Sequence, residues 1–481
     1  MATPSAVAIP PGQPGPADLL AEAARAITET GTWWIMSAWL VIAAACLAGS
    51  LARPRAGTEP SRRSADTPTA VLLFVGALIV RALLATRIHY TYNDEYLYLR
   101  QAAEMASTGR FSLQNQPPLL IYLYALAFTV LPTSAGTSFT ITTLAGSLTA
   151  PALYGCLRSL RVERSVAILA AALLALHPLH IKHSGASSLE IVSLLFVVAT
   201  VGTFARWLRD PGWWPLLSFA SALFAALTTR VENFVLVPAL PGLALVPGLR
   251  TRRVSGRDLG VLAATTVVAM LYLPGVLLFH ESQAGWWKSE LGPLALLSNN
   301  LAFWIGGALA TGKLPLALLV AGMIGSWRRH RQACVTWLLL GVAYSAVYVA
   351  HGANLGYHVE SAHPPYFAQR AAGHDMFRFN ILLLPTVVFF TASGVVASMR
   401  FVRHRLERAG VRAAAPTVAW HIHRPSPPPA RPWVRASGSP SPARRKKWAL
   451  GPSLNCRPSP RLGSRGDCHP PGSVRLPSQE V

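Results

Sequence analysis

Four polar segments break up a chain of long apolar runs, and their residue types suit acid–base and phosphate chemistry. The first reads His89-Tyr-Thr-Tyr-Asn-Asp94-Glu95-Tyr-Leu-Tyr-Leu-Arg100, with Gly109 and then Gln116-Pro117-Pro118 downstream. Leu99, Ala102, Ala103 and Ala106 recur at helical spacing, so a helix is predicted over 94–106 with Gly109 as its stop. Acids favour a first turn, and capping alone would explain Asp94 and Glu95. The same position would keep a carboxylate ionised, as a base that accepts a proton requires. Both readings stay open on the residues alone.

The second segment, Leu176-His177-Pro178-Leu179-His180-Ile181-Lys182-His183-Ser184, closes one apolar run, and Glu190 opens the next. Such side chains can simply snorkel at an interface. They also offer cationic groups for a phosphate near the membrane surface. The histidines could hold a divalent metal, although their spacing is not that of a known metal motif. In the third segment, Arg230-Val-Glu232-Asn233, opposite charges two positions apart at membrane depth must be paired or functional. The fourth runs from His358 to Arg378 and sets arginine beside aromatics at Tyr366-Phe-Ala-Gln-Arg370 and Met376-Phe-Arg378-Phe379. An aromatic belt with an ordinary loop would look the same.

The elements that must position these groups are membrane helices. Of the 481 residues, 52% are hydrophobic and 13% charged, against about 25% charged in a soluble domain. The apolar residues gather in runs long enough for a ~30 Å hydrocarbon core. A spanning backbone must satisfy its own hydrogen bonds, and barrel alternation is missing, so the expected fold is an all-α polytopic bundle. Candidate spans are 33–52, 69–88, 137–157, 165–181, 187–207, 214–229, 231–248, 259–279, 313–327, 334–350 and 379–398. Eleven spans with the N-terminus outside place the basic loops 53–63, 158–164, 206–209, 250–257, 328–331 and 403–408 in the cytoplasm. Two further apolar segments, Pro118–Pro132 and Leu301–Ala310, read as short interfacial or re-entrant helices on the outer face.

That topology puts nine of the 14 histidines and all four polar segments on the outer side. The asymmetry predicts an outward-facing polar site at the membrane boundary. The net charge of +23 is largely accounted for by cytoplasmic loops and by the stretch after Phe401, with 15 basic and 3 acidic residues. It therefore does not call for a nucleic-acid partner. That stretch is rich in Pro, Arg and Ser, has no apolar periodicity from about Gly410, and reads as a disordered tail that could touch anionic lipid. Cys46, Cys156, Cys334, Cys456 and Cys468 form no pair with metal-ligand spacing, and no disulfide framework is expected. No cleaved signal peptide is expected either, since the 32 residues before the first apolar run lack a basic start.

The ordered set of Asp94-Glu95, Glu104-Met-Ala-Ser-Thr-Gly109, Pro117-Pro118-Leu119, His177-Pro-Leu-His180, and Arg378 ahead of a span containing Pro385 resembles the GT-C superfamily of membrane glycosyltransferases. Within it, the nearest likeness is to the protein O-mannosyltransferase and lipid A aminoarabinose transferase group, over residues 69–400. The resemblance implies a sugar donor on a polyprenyl phosphate, attacked by an acceptor hydroxyl with inversion. It implies Asp94, then Glu95, as the base, and Arg378, Lys182 and His183 at the donor phosphate. His177, His180, Glu190, Arg230, Glu232 and Gln116 are further candidates for the substrate site. Gln116 stands where the aminoarabinose transferases carry a lysine, so phosphate handling must differ or fall to another cation.

The expected organisation is an N-terminal segment, 1–68, with one extra span, a catalytic core, 69–400, and the basic tail, 401–481. The enzyme expected is a hexosyl- or pentosyltransferase at the plasma membrane, with a lipid, glycan or protein acceptor. The alternatives are a multi-span transporter or lipid flippase, which would more often show inverted repeats and midplane charges, and a non-catalytic membrane scaffold.

Overall fold

The computed structural model describes residues 16–52, 60–84, 93–111, 118–210, 212–244, 254–273, 313–350 and 381–408. Among these residues every regular element is helical, as the sequence predicts. The chain runs through α1 (Pro16–Ala52), α2 (Pro60–Leu84), α3 (Asn93–Thr108), α4 (Leu119–Phe128) and α5 (Ala135–Ser159). It continues through α6 (Arg164–Leu176), α7 (Pro178–Ser184), α8 (Leu189–Arg209) and α9 (Trp213–Leu227). A 3-10 turn (Val231–Val235) leads into α10 (Leu236–Ala244), followed by α11 (Gly256–Met270). The last elements are α12 (Lys313–Arg329), α13 (Arg331–Ala350) and α14 (Leu384–Arg408).

Local chemistry sets several of these boundaries. Gly109 ends α3 with a φ of 69°, a left-handed conformation that glycine adopts without penalty, and its N–H closes on the Met105 carbonyl at 2.9 Å. Ser134 caps α5 by accepting from the Thr137 N–H. Ser255 and Asp258 open α11 with reciprocal side-chain-to-backbone bonds of 3.2 and 3.0 Å. Pro178 splits the expected span 165–181. The residue before a proline avoids helical geometry, and His177 is extended there (φ −66°, ψ 123°), so α6 and α7 meet at a 56° bend.

Each of the eleven expected spans overlaps a helix among the described residues. Among the described residues, three stretches are long and apolar enough to cross a membrane by length and composition: Asp66–Leu84, Leu189–Arg209 and Ile381–Arg408. The bent α6–α7 pair makes a fourth. The remaining expected spans are shorter or less apolar, and 231–248 divides into the 3-10 turn and α10. The segment 118–132 forms the ten-residue α4, roughly 15 Å long at ~1.5 Å per residue and too short to cross. Leu119, Leu120, Ile121, Tyr122, Tyr124, Ala125 and Phe128 bury most of its surface inside the protein. Leu301–Ala310 and the tail from Gly410 lie outside the described residues.

The core is built on α5, α8 and α9, with α6 and α14 against them. Small residues let the helices approach closely. A β-carbon on Gly202 of α8 would sit 3.0 Å from the Cys156 Cα of α5. Helix α1 is anchored to this core: the Trp39 indole donates to the Ser221 carbonyl of α9 at 2.9 Å. Its ring meets Phe196 and Phe224. The Glu29 carbonyl of α1 accepts from the Phe111 N–H just after α3.

One end of the bundle gathers the loops expected in the cytoplasm. Arg400 of α14 pairs with Glu163 at the start of α6. Asp66 meets Tyr154 and Arg158, and Arg164 donates to Thr69 at 2.8 Å. The Arg257 guanidinium lies 4.4 Å above the Trp213 ring. Segments far apart in sequence but alike in basic charge therefore share an end, as positive-inside placement requires.

Candidate functional site

Two buried polar clusters are built where α2, α7, α8 and the 3-10 turn come together with their neighbours. The first forms at the α6–α7 bend. Proline removes one backbone donor at the bend, and Arg81 of α2 reaches across to the carbonyl of Ala175 (3.3 Å) and to that of Ala77 (2.9 Å). Its Nε donates to the Ser184 hydroxyl at 3.1 Å, and its Nη2 bonds the Nδ1 of His180. Arg81 and His180 are both fully buried. The Ser184 hydroxyl donates in turn to the His180 carbonyl (2.6 Å).

The second cluster is centred on Arg230, whose extended backbone precedes the 3-10 turn. Its Nη1 donates to Glu190 at 2.6 Å, while its Nε and Nη2 grip both oxygens of Glu232, the former at 3.1 Å. Glu190 also accepts from the Ser188 hydroxyl at 2.7 Å, and that hydroxyl lies 3.5 Å from the His183 Nδ1. Behind it, Asn233 donates to Ser193 (2.8 Å) and to the Ala226 carbonyl (2.7 Å), and accepts from the Tyr344 hydroxyl (2.8 Å). The guanidinium fork and the two carboxylates answer one another through hydrogen bonds, as charged groups withdrawn from water require.

The structure thus brings together His183, Glu190, Arg230 and Glu232. It places His177 at the cap of α7, His180 in the neighbouring Arg81 cluster, and Lys182 half-buried on the same short helix. Arg230 and Glu232 are paired, which was one of the two readings their spacing allowed. Asp94 and Glu95 fall in the first turn of α3, where capping and base roles are equally accommodated. Their side chains lie outside the described residues, as do Gln116 and Arg378 altogether. Among the described residues no three His, Cys, Asp or Glu side chains come together to hold a metal ion. Glu190 and Glu232 are both engaged by Arg230.

Sequence reasoning passed over Arg81, Ser188 and Tyr344. An arginine inside the apolar run 69–88 was a usable signal, because an intramembrane charge is costly. Nothing about a serine or a tyrosine in an apolar setting marks it in the same way.

Comparison with known proteins agrees with the sequence resemblance. Residues 138–247 match the family described as dolichyl-phosphate-mannose-protein mannosyltransferase. The match lies within 69–400 and contains His177, His180, Lys182, His183, Glu190, Arg230 and Glu232. Comparison with curated proteins gives no match. Solved structures similar to the chain include the oligosaccharyltransferase of Archaeoglobus fulgidus tethered to an acceptor peptide containing the NVT sequon. The identity is 15% and the TM-score 0.42, over 71% of this chain and 52% of that one. Another is the same organism's AglB in complex with an inhibitory peptide and a dolichol-phosphate, at 14% identity and a TM-score of 0.43 over 70% and 52%. The chain spans about half the length of these structures, and no residue here takes a role from them.

Proposed function

We propose that this chain is a membrane glycosyltransferase that moves a sugar from a polyprenyl-phosphate donor to an acceptor hydroxyl on the outer face of the membrane. The observation that carries this reading is the family match over 138–247, which encloses the His183–Glu190–Arg230–Glu232 cluster and the α6–α7 bend. An amphipathic donor explains a polar site at a membrane boundary, since its tail stays in lipid while its phosphate and sugar meet the loops.

In this reading Asp94 removes the proton of the acceptor hydroxyl, with Glu95 beside it. The acceptor oxygen forms a bond to the anomeric carbon from the side opposite the phosphate, the carbon–oxygen bond to phosphate breaks, and polyprenyl phosphate departs with the sugar inverted. Lys182, His183 and Arg378 stabilise the charge on the leaving phosphate. Arg230 orders the two glutamates, and the Ser188 link extends that order to His183. The catalytic core is 69–400, with 1–68 as an added segment and 401–481 as a basic tail. The site faces outward from the plasma membrane. A hexose or pentose and a protein, lipid or glycan acceptor all satisfy this chemistry.

The test is to incubate the purified protein, in membrane scaffold particles, with host membrane extract and a panel of labelled polyprenyl-phosphate sugars. Transfer of label with release of polyprenyl phosphate is the expected result. A folded protein that transfers no sugar from any donor would overturn the proposal and favour a transporter.

A further inference from the structure

Helices α12 and α14 end unevenly at the basic end of the bundle. The stretch Ile381–Arg408 runs for 28 residues, about 42 Å at ~1.5 Å per residue. A ~30 Å hydrocarbon core takes up roughly 20 of them. The surplus falls at the C-terminal end, where Arg400, Arg403, His404, Arg405, Glu407 and Arg408 follow the apolar run. Helix α12 lies alongside in the same direction, with Gly322 set against Phe390 and Gly325 against Ala397. It stops at Arg329, so α14 projects past it by about two turns.

Every residue from Ser398 to Arg408 is exposed. Met399, Val402 and Leu406 recur at helical spacing and form an apolar stripe. Arg400 turns away from that stripe to pair with Glu163. Arg403 and Arg405 border it, and the Arg405 guanidinium lies 5.3 Å above the Phe401 ring. At the foot of α12, Trp327, Arg328, Arg329 and Arg331 are exposed. Arg329 acts on the charge of the same Glu163 that Arg400 holds, which brings the two groups of arginines together. Seven arginines thus stand against Glu163 and Glu407. Arg328, Arg329, Arg331, Arg405 and Arg408 form no ion pair among the described residues.

Such a surface calls for an anionic partner. The segment 409–481 carries 12 basic and 2 acidic residues, and a second copy of the chain would bring the same arginines, so neither is complementary. An exposed tryptophan and an apolar stripe beside arginines, continuous with a membrane helix, suit the headgroup layer. There the rings and stems stay among acyl chains while the guanidinium groups meet lipid phosphates. We propose that the ends of α12 and α14 form a docking surface for anionic phospholipid. In it Arg328, Arg329, Arg331, Arg403 and Arg405 contact the headgroup phosphate, and Met399, Val402 and Leu406 face the acyl boundary. The proposal does not depend on sugar transfer.

The experiment is equilibrium binding of radiolabelled phosphatidylglycerol and phosphatidylcholine to the full chain in neutral detergent. Phosphatidylglycerol is expected to bind at least tenfold more tightly, and its advantage to shrink as salt is raised. Arg403→Gln combined with Arg405→Gln should weaken phosphatidylglycerol binding by a factor on the order of ten. Val402→Gln combined with Leu406→Gln should weaken it several-fold, which a purely ionic site would not show. All four positions are exposed, so unfolding temperatures should stay at the wild-type value. Arg110→Gln, an exposed arginine after α3 and outside this surface, should bind as wild type does. Equal retention of the two lipids, as a face covered by the tail or by a second copy would give, would overturn the proposal. Displacement of the lipid by glycerol phosphate would reassign the arginines to a soluble anion, and displacement by polyglutamate would reassign them to an acidic protein. Either result would also overturn it.

Discussion

Arg230 Nη1 lies 2.6 Å from Glu190 Oε1, joining side chains 40 positions apart, and both are almost fully buried. The same guanidinium holds Glu232, so one cation organises two carboxylates at the heart of the site. Arg230→Ala would remove the guanidinium from two carboxylates, one of them buried and the other part-buried, at a cost of about 3–5 kcal/mol. Thermal unfolding in detergent should register that loss, and Arg230→Met combined with Glu190→Gln and Glu232→Gln should recover most of it. A loss from Arg230→Ala within the range of a surface pair, about 0–1 kcal/mol, would show that the cluster is solvated.

Helices α12 and α14 cross at facing glycines. A β-carbon on Gly322 would overlap the Phe390 carbonyl, and one on Gly394 would overlap the Leu318 carbonyl. Gly322→Ala should therefore cost about 1–3 kcal/mol through forced separation of the helices. Gly325→Ala is the control, since its β-carbon would meet the Ala397 Cβ at an ordinary 3.6 Å. Equal unfolding temperatures for the two variants would contradict the crossing.

At the basic end of the bundle, the hydrogen bond and charge of Arg400 hold the Glu163 carboxyl below its usual range, against a smaller opposing effect of burial. A depressed carboxylate stabilises the fold above its unfolded pKa, and that contribution is lost as pH falls through the lower folded value. Both side chains are about two-fifths exposed, so the pair contributes about 0.2–1 kcal/mol after solvent screening. Arg400→Ala should lose this at neutral pH, and the gap to wild type should close on acidification below the ordinary carboxylate range. A gap that persists there would assign the effect to packing.

Trp39 fastens the N-terminal helix α1 to the core through the Ser221 carbonyl and two aromatic rings. Trp39→Ala should cost about 3–5 kcal/mol and expose α1 to limited proteolysis. If cleavage is unchanged, the helix is held by other contacts.

Much of this architecture was legible because membrane helices write themselves as apolar runs, and their breaks as proline and glycine. Gly109 stops α3 and Pro178 bends the fourth expected span for reasons local to the chain. Arg230 and Glu232 declared themselves as neighbours in sequence. Glu190 did not, because nothing local says which helix will bring a partner from 40 positions away. Arg81 and His180, 99 positions apart, were harder still. Cation and imidazole carry no complementary charge, and only the bend that exposes the Ala175 carbonyl explains why an arginine sits among apolar residues.

The proposed sugar transfer uses a carboxylate base in the first turn of α3. The most direct measurement is single-turnover release of polyprenyl phosphate, comparing wild type with Asp94→Asn at matched folding. Release coupled to sugar transfer in wild type, reduced by a factor on the order of 100 or more in Asp94→Asn, is the predicted result. Equal single-turnover rates for the two proteins would contradict it and return Asp94 to the capping of α3.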